Sequence, residues 1–342
     1  MPYLDSFNRP ISYLRVSVTD RCNLRCVYCM PPEGVPWRPH DDILRYEEIE
    51  TVVRAAASLG ISKVRLTGGE PLVRLGMVDL VAMLASIPGL DDLAMTTNGI
   101  LLARYAEELK AAGLRRVNVS LDTLRPERFR RITRLGELSD ALEGIAAAKE
   151  AGLVPVKVNT VVIRGLNDDE VVDFARLTTP TPTLPRRDGG GGWGVGWHVR
   201  FIEVMPLGDN AGWAGNGYVP MNEVQEKIER ELGELIPAKL GDGSGPARYY
   251  RLPGAQGTVG FIAPISQHFC YQCNRLRLTA DGKLRPCLLS DDEIDLRTPL
   301  RQGATIEDIK RLVVEAVRAK PERHHLSEQV IPQGRVMSEI GG

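Results

Sequence analysis

At 342 residues, the chain is long enough for one large domain or two ordinary ones. A hydrophobic fraction of 43% and a charged fraction of 25% are ordinary for a globular protein, and a net charge of −1 gives no overall basic field with which to hold nucleic acid. No run of about 18 apolar residues is present to span a membrane, and the N-terminus has no apolar signal core, so a protein free of the membrane and retained in the cell is expected.

The first strand is expected over 12–19, rich in β-branched residues, and it runs straight into a loop holding Cys22, Cys26 and Cys29. Residues 47–59 read as a helix with Gly60 as its stop, and 63–67 as a strand followed by Gly68-Gly69-Glu70-Pro71. A helix at 77–87, a strand at 92–97 ending in Asn98-Gly99, and a helix at 102–112 come next. A strand at 116–121, a helix at 139–151, a strand at 154–162, a helix at 168–177 and a strand at 199–204 complete six alternations. Short links and alternation imply parallel βα units with right-handed crossovers. The cysteine loop, the glycine turn, Thr96-Thr97-Asn98-Gly99 and Ser120-Leu121-Asp122-Thr123 follow four successive strands at one end. That favours a partial (β/α)6 barrel over an open doubly wound sheet.

Residues 178–196 break the rhythm with a Pro- and Gly-rich insertion of turn-forming composition. After 206 the alternation stops. A helix at 222–232, short strands near 235–240, 247–251 and 258–262, and a helix at 306–319 suggest a smaller α+β unit. The expected division is therefore 1–206 for the barrel and 207–342 for the second unit.

The six cysteines fall in two triplets, Cys22, Cys26, Cys29 and Cys270, Cys273, Cys287, as ligands would, and not dispersed as disulfide partners; this fits a reducing cytoplasm. Thiolates are soft ligands suited to iron–sulfur clusters or zinc. Three thiolates on a four-iron cluster would leave one iron open to a small molecule. The alternative is a pair of structural zinc sites, each closed by a fourth ligand, with His40 and His268 the nearest histidines. Buried parallel strands should be nearly continuous apolar runs, yet four of these strands carry a cation: Arg15, Arg65, Lys157 and Arg200. Arg275 and Arg277 follow directly on Cys273, inside the second triplet. A charge left unpaired in a barrel interior is expensive, so the cations either point outward, pair with carboxylates or converge on an anion.

C-x-x-x-C-x-x-C, with an aromatic residue just before the last cysteine, resembles the signature of radical S-adenosylmethionine (SAM) enzymes. There the open iron chelates SAM, and reductive cleavage gives a 5′-deoxyadenosyl radical. The Gly68–Pro71 turn, one strand later, resembles the superfamily turn that holds the SAM amino group. The resemblance implies that Tyr28, Gly69, Ser120, Asn159 and Met205 line SAM. The second triplet, followed by Asn274-Arg275-Leu276-Arg277-Leu278-Thr279, narrows the likeness to the GTP 3′,8-cyclase family of molybdenum-cofactor biosynthesis. Membership would imply a second [4Fe–4S] cluster whose open iron binds GTP. It would also imply a triphosphate site from Arg15, Arg65, Thr96, Lys157, Arg200, Arg275 and Arg277, whose forked guanidiniums suit phosphate oxygens. The C-terminal Gly341-Gly342 matches a double glycine that in this family reaches into the active site. The implied reaction removes hydrogen from C3′ of GTP and joins C3′ to C8. The implied partners are an external electron donor, a downstream cyclic pyranopterin monophosphate synthase and a second copy in a homodimer. The resemblance runs from Ile11 to Gly342, with the 178–196 insertion as its main departure. A radical SAM enzyme that modifies peptides is the other catalytic reading.

Overall fold

The computed structural model describes residues 2–180, 196–207, 216–240, 245–328, 331–332 and 334–341. Most of the expected insertion, 181–195, and Gly342 lie outside the described residues. A short antiparallel pair, β1 (Tyr3–Leu4) and β2 (Pro10–Ile11), precedes the main sheet. The core of the fold is six parallel strands: β3 (Tyr13–Ser17), β4 (Lys63–Thr67), β5 (Asp92–Thr97), β6 (Arg116–Ser120), β7 (Lys157–Val162) and β8 (His198–Glu203). Their spatial order is their sequence order, with no reversal point. That is the order of a barrel wall and not of a doubly wound sheet. The wall is open, because β3 and β8 pair with other strands and not with each other.

Six helices cover the outside: α1 (Tyr46–Ser58), α2 (Met77–Ala85), α3 (Leu102–Ala111), α4 (Pro126–Thr133), α5 (Leu138–Glu150) and α6 (Val171–Arg176). In α1 the apolar stripe of Ile49, Val52, Val53 and Ala56 is buried, and the Glu48 carboxylate accepts the Arg45 N–H at 2.7 Å to close the first turn. The short helix α4 has no counterpart in the sequence reading; Pro126 at its first position needs no hydrogen-bond partner there. The strand expected over 154–162 begins at Lys157, because Pro155 has no N–H to give a ladder.

The strands divide their two faces sharply. Leu14, Val16, Val64, Leu66, Met95, Val117, Val119, Val158, Val199 and Phe201 point to the helices and form the hydrophobic core. The alternate residues point inward and are polar: Arg15, Arg65, Thr96, Asn118, Lys157, Asn159 and Arg200 line one cavity. Val161 and Ile202, further along the same faces, line the cavity too, so its wall sets a band of cations and amides among apolar residues.

The chain beyond 207 completes both edges of this wall. It gives α7 (Met221–Leu232), β9 (Ile236–Ala238), β10 (Arg248–Arg251), β11 (Thr258–Ile262), β12 (Arg275–Leu278), β13 (Lys283–Arg285), β14 (Ile294–Asp295), α8 (Arg297–Arg301) and α9 (Ile306–Arg318). β11 pairs in parallel with β8, and β12 in parallel with β3, so one twelve-stranded sheet runs from β14 to β9. β12, β13 and β14 are absent from the sequence reading, since strands of two to four residues are too short to show the apolar alternation that marks a strand. The Thr305 side chain caps α9, and the helix packs against α1, which ties the last helix to the first.

Candidate active site

The cavity measures about 700 Å³ and is lined from β3 through β8, from β11 and β12, and by both cysteine triplets. The first triplet follows the carboxyl end of β3. The second sits at the opposite end of the same pair of strands, because Cys273 leads into β12, which runs parallel to β3, and Cys287 leaves the antiparallel β13. One strand length of cavity therefore separates the triplets. All six thiols are free and half-buried.

At the carboxyl end, Cys22 Sγ accepts the Leu24 N–H at 3.4 Å, and Cys26 and Cys29 close a turn through the Cys29 N–H to Cys26 O bond of 2.8 Å. Burial pushes Cys22 up to about 11 and Cys29 up to about 12, helped by Glu70 at the first and by Cys22 and Asp122 at the second. Tyr28 donates its hydroxyl to Asp122 at 2.5 Å, and burial lifts Asp122 to about 6. Gly69 passes so close to the cysteine loop that a Cβ there would stand 2.4 Å from Arg21 O. Only glycine permits that approach. Glu70 does not point a free carboxylate at a ligand: it accepts from the Thr97 hydroxyl at 2.7 Å, the Asn98 N–H at 2.6 Å and the Leu72 N–H at 3.1 Å. The turn thus offers a ligand backbone groups, and Glu70 fixes the neighbouring loop. Ser120, Asn159 and Met205 line the same end, and Asn159 Oδ1 is buried without a partner.

Cations fill the middle. Register places Arg277, Arg15 and Arg65 side by side across β12, β3 and β4, and Asn159 beside Arg200 across β7 and β8. Arg65, Lys157, Arg200 and Arg277 are each less than one-tenth exposed. Burial and like-charged neighbours lower Arg15 and Arg200, bring Arg277 down to about 10 and bring Lys157 down to about 7. Arg65 Nε and Arg200 Nε and Nη2 have no hydrogen-bond partner. Buried donors of this kind are normally satisfied, so the arrangement calls for an anion with many oxygens. Thr96 lies beside them and accepts from Asn118 Nδ2 at 3.5 Å.

At the amino end, burial would raise Cys273, but Arg275 and Lys320 overcome it and hold the thiol at about 6. Lys320 Nζ donates to Arg275 O at 2.8 Å and Pro286 O at 2.7 Å, and Arg9 donates to Cys270 O at 2.7 Å. Gly341 reaches the space between the triplets: its carbonyl accepts from Arg15 Nε at 3.1 Å and Arg277 Nη1 at 2.9 Å. Gly342 itself is outside the described residues. The structure thus brings every described residue of the expected site to one cavity. Sequence reading missed Tyr13, Arg116, Asn118, Asp122 and Lys320, which line it too. Asn118 and Arg116 share a face with Ser120, a signal that period-two counting would have found. Lys320 follows a helix end and carried no signal.

Among the described residues no three His, Cys, Asp or Glu side chains converge on a position for one metal ion. A cubane distributes its thiolates over different irons, so its cysteines stand further apart than the ligands of a single ion. The donor sets, two all-cysteine triplets open to one polar cavity, fit iron–sulfur clusters of the incomplete type.

Two family descriptions match the chain: "Radical SAM superfamily" over residues 16–178 and "Molybdenum Cofactor Synthesis C" over 197–326. The GTP 3′,8-cyclase of Pelotomaculum thermopropionicum is 57% identical over 338 residues, covering 99% of each chain. That of Heliobacterium modesticaldum is 54% identical, covering 99% of this chain and all of the relative. Among solved structures, Streptococcus suis SuiB superposes with a TM-score of 0.56 at 14% identity, over 90% of this chain and 66% of SuiB. Native anSMEcpe with bound AdoMet gives 0.51 at 15% identity, over 93% and 82%. The two structures share the fold, and the full-length identity to the curated enzymes goes further: the chain belongs to the GTP 3′,8-cyclase family of the radical SAM superfamily.

Proposed function

We propose that this chain converts GTP to (8S)-3′,8-cyclo-7,8-dihydroguanosine 5′-triphosphate, the first step of molybdenum-cofactor biosynthesis. The observation that carries the reading is the band of buried inward cations, several with unpartnered donors, set between two cysteine triplets. A polyphosphate would satisfy Arg65 and Arg200 and discharge the repulsion of Arg15 by Arg277 and of Lys157 by Arg200.

Cys22, Cys26 and Cys29 would hold a [4Fe–4S] cluster and Cys270, Cys273 and Cys287 a second. The first cluster, with SAM and one electron, supplies a 5′-deoxyadenosyl radical when bound. The residues of the chain then bind, orient and exclude water. Gly69 gives backbone access at the SAM end, with Tyr28, Ser120, Asn159 and Met205 around it. The arginines and Lys157 fix the triphosphate, and Thr96 and Asn118 add neutral contacts. Fixing the triphosphate at the middle of the cavity holds the ribose and base in one place relative to both triplets, which is the entropic contribution a protein makes to radical chemistry. Gly341 narrows the passage between the ends.

A peptide-modifying radical SAM enzyme would share this fold, and SuiB is described bound to precursor peptide SuiA at 13% identity. The cation band counts against that reading, since a peptide backbone has no charge to meet it. We extend the reading to an external electron donor, a downstream cyclic pyranopterin monophosphate synthase, a homodimer and a cytoplasmic setting, which suits six thiols free of disulfides. No described helix is long and apolar enough to cross a membrane. We also keep the division into 1–206, the barrel, and 207–342, which carries the second triplet and the tail; the proposed triphosphate site draws on both. The test is GTP deuterated at C3′, given anaerobically with SAM and reductant. Label in 5′-deoxyadenosine supports the substrate and the position together; unlabelled 5′-deoxyadenosine would leave SAM cleavage standing and remove GTP.

A further inference from the structure

Beside the cavity lies a compact group of seven charged side chains that the cyclase reading does not use. Arg335 is 8% exposed and forks between two carboxylates. Its Nη1 and Nη2 donate to the two oxygens of Asp281 at 2.9 Å each, and its Nε and Nη2 donate to Glu293 at 2.5 and 2.9 Å. Asp281 lies in the turn between β12 and β13, and Glu293 directly precedes β14, so both anions stand on the hairpin that flanks the arginine-bearing strand β12. Arg285, fully buried, backs Glu293 from the other side. Arg38, from the loop beyond the first triplet, donates to Glu339 at 2.8 Å and lies 3.5 Å from Asp281.

Asp291, 3.6 Å from Arg285, accepts the Gly334 N–H at 3.2 Å. Three guanidiniums thus meet four carboxylates, and the tail is clamped between the loop after the first triplet and the chain that follows β12. Below the clamp, Met337 and Ile340 join an apolar cluster with Leu207, Leu289 and Leu326. Six residues after Arg335, Gly341 fits against β4 so tightly that a Cβ would stand 2.1 Å from Thr67 Oγ1. The tail adds no strand to the sheet; the ion pairs and this small apolar seat hold it. With Arg335 gone, Glu293 keeps Arg285 and Asp281 keeps Arg38 at 3.5 Å, but both lose the fork that joins them to the tail. Four charge-assisted hydrogen bonds to Arg335 are lost at once, and the tail is then free to exchange them for water.

We propose that Arg335 is a positioning residue, a latch that seats 335–341 and so delivers the Gly341 carbonyl to Arg15 and Arg277. The inference takes the cyclase cavity above as the tail's destination, and its test reads the tail without turnover. Hydrogen exchange is followed on the anaerobically reconstituted enzyme for wild type, Arg335→Met and Arg335→Lys. The reporter amides are Val336, Glu339 and Ile340, bonded to Glu339 Oε2, Val336 O and Met337 O. Arg335→Met should speed their exchange roughly tenfold or more, because the buried pair is broken from one side, and leave β3–β8 unchanged. Arg335→Lys should fall between, since an ammonium keeps the charge without the fork. Unchanged tail exchange in Arg335→Met overturns the latch. Loss of protection across the whole sheet also overturns it, by making the cluster a staple of the fold. Should that variant not fold, Glu293→Gln removes one of the two anions and is read in the same way. Absence of cyclised product in the wild type would fell the cyclase reading and leave the exchange result to decide the latch.

Discussion

The two cysteine triplets have the same residues and opposite surroundings. Around the first stand Glu70 and Asp122, and burial lifts Cys22 to about 11 and Cys29 to about 12. Around the other stand Arg275 and Lys320, which hold Cys273 at about 6, while burial still raises Cys270 beside it. Under the proposed function a ligand carrying an ammonium would suit the first end and a polyanion the opposite one, so that charge would sort the two ligands. Thiol count and spacing alone do not separate these roles; the neighbours brought in by the sheet do.

The largest expected effect falls on the cysteines. Cys26→Ala should reduce 5′-deoxyadenosine formation to background. Cys273→Ala should retain some SAM cleavage and lose cyclised product, read by chromatography of the same reaction. A Cys273→Ala enzyme with full cyclase activity would collapse the distinction between the triplets.

Arg200→Met removes a buried guanidinium with two unpartnered nitrogens. It should weaken GTP binding roughly ten- to a hundredfold, the range for a hydrogen bond to a charged group, with SAM binding unaltered. Equilibrium dialysis with each ligand checks both halves, and equal losses for the two ligands would blur the sorting by charge.

Gly341→Ala sets a Cβ against Thr67 at a residue with φ of +66°. The left-handed backbone costs an alanine about 1–2 kcal/mol before the clash is counted. Turnover should fall while overall melting temperature stays within a degree or two, and Thr67→Ala should restore part of the loss by removing the hydroxyl.

The smallest effect is a pH dependence. Lys157 has its pKa brought down to about 7 by burial first and by Arg200, Arg116 and Arg65 next. Above its unfolded value near 10.4 the lysine is neutral in both states and contributes nothing. A cost to the folded state grows as pH falls from there toward 7, and below about 7 the full cost of charging it is present. The neutral-to-charged change also couples to the ligand: a polyphosphate should raise this pKa, so GTP binding at pH 8 takes up protons and its affinity falls as pH rises from 7. Calorimetry in buffers of different ionisation heat measures the uptake, and Lys157→Met should remove most of it and stabilise the ligand-free protein at pH 6.

Much of this was legible in residue order. The six parallel strands, the first triplet and the four strand cations are local patterns, set by thiol spacing and by the period of two. The helix α4 and the exact start of β7 were not, since short elements hold too few residues for periodicity to rise above composition. The strands β12, β13 and β14 were missed for a different reason: Arg277 lies beside Arg15 although 262 residues separate them in the chain. No local pattern encodes such a pairing.

By itself, then, the sequence determined which residues are candidates for the chemistry and the parallel βα frame that holds them. Those depend on side-chain identity and short-range alternation. Tertiary structure alone decided that the two triplets stand at opposite ends of one strand pair, that Lys320 sits beside Cys273, and that Arg335 finds Asp281 and Glu293. Each of those rests on packing between distant segments, where burial turns an ordinary charge into a costly one that must be met.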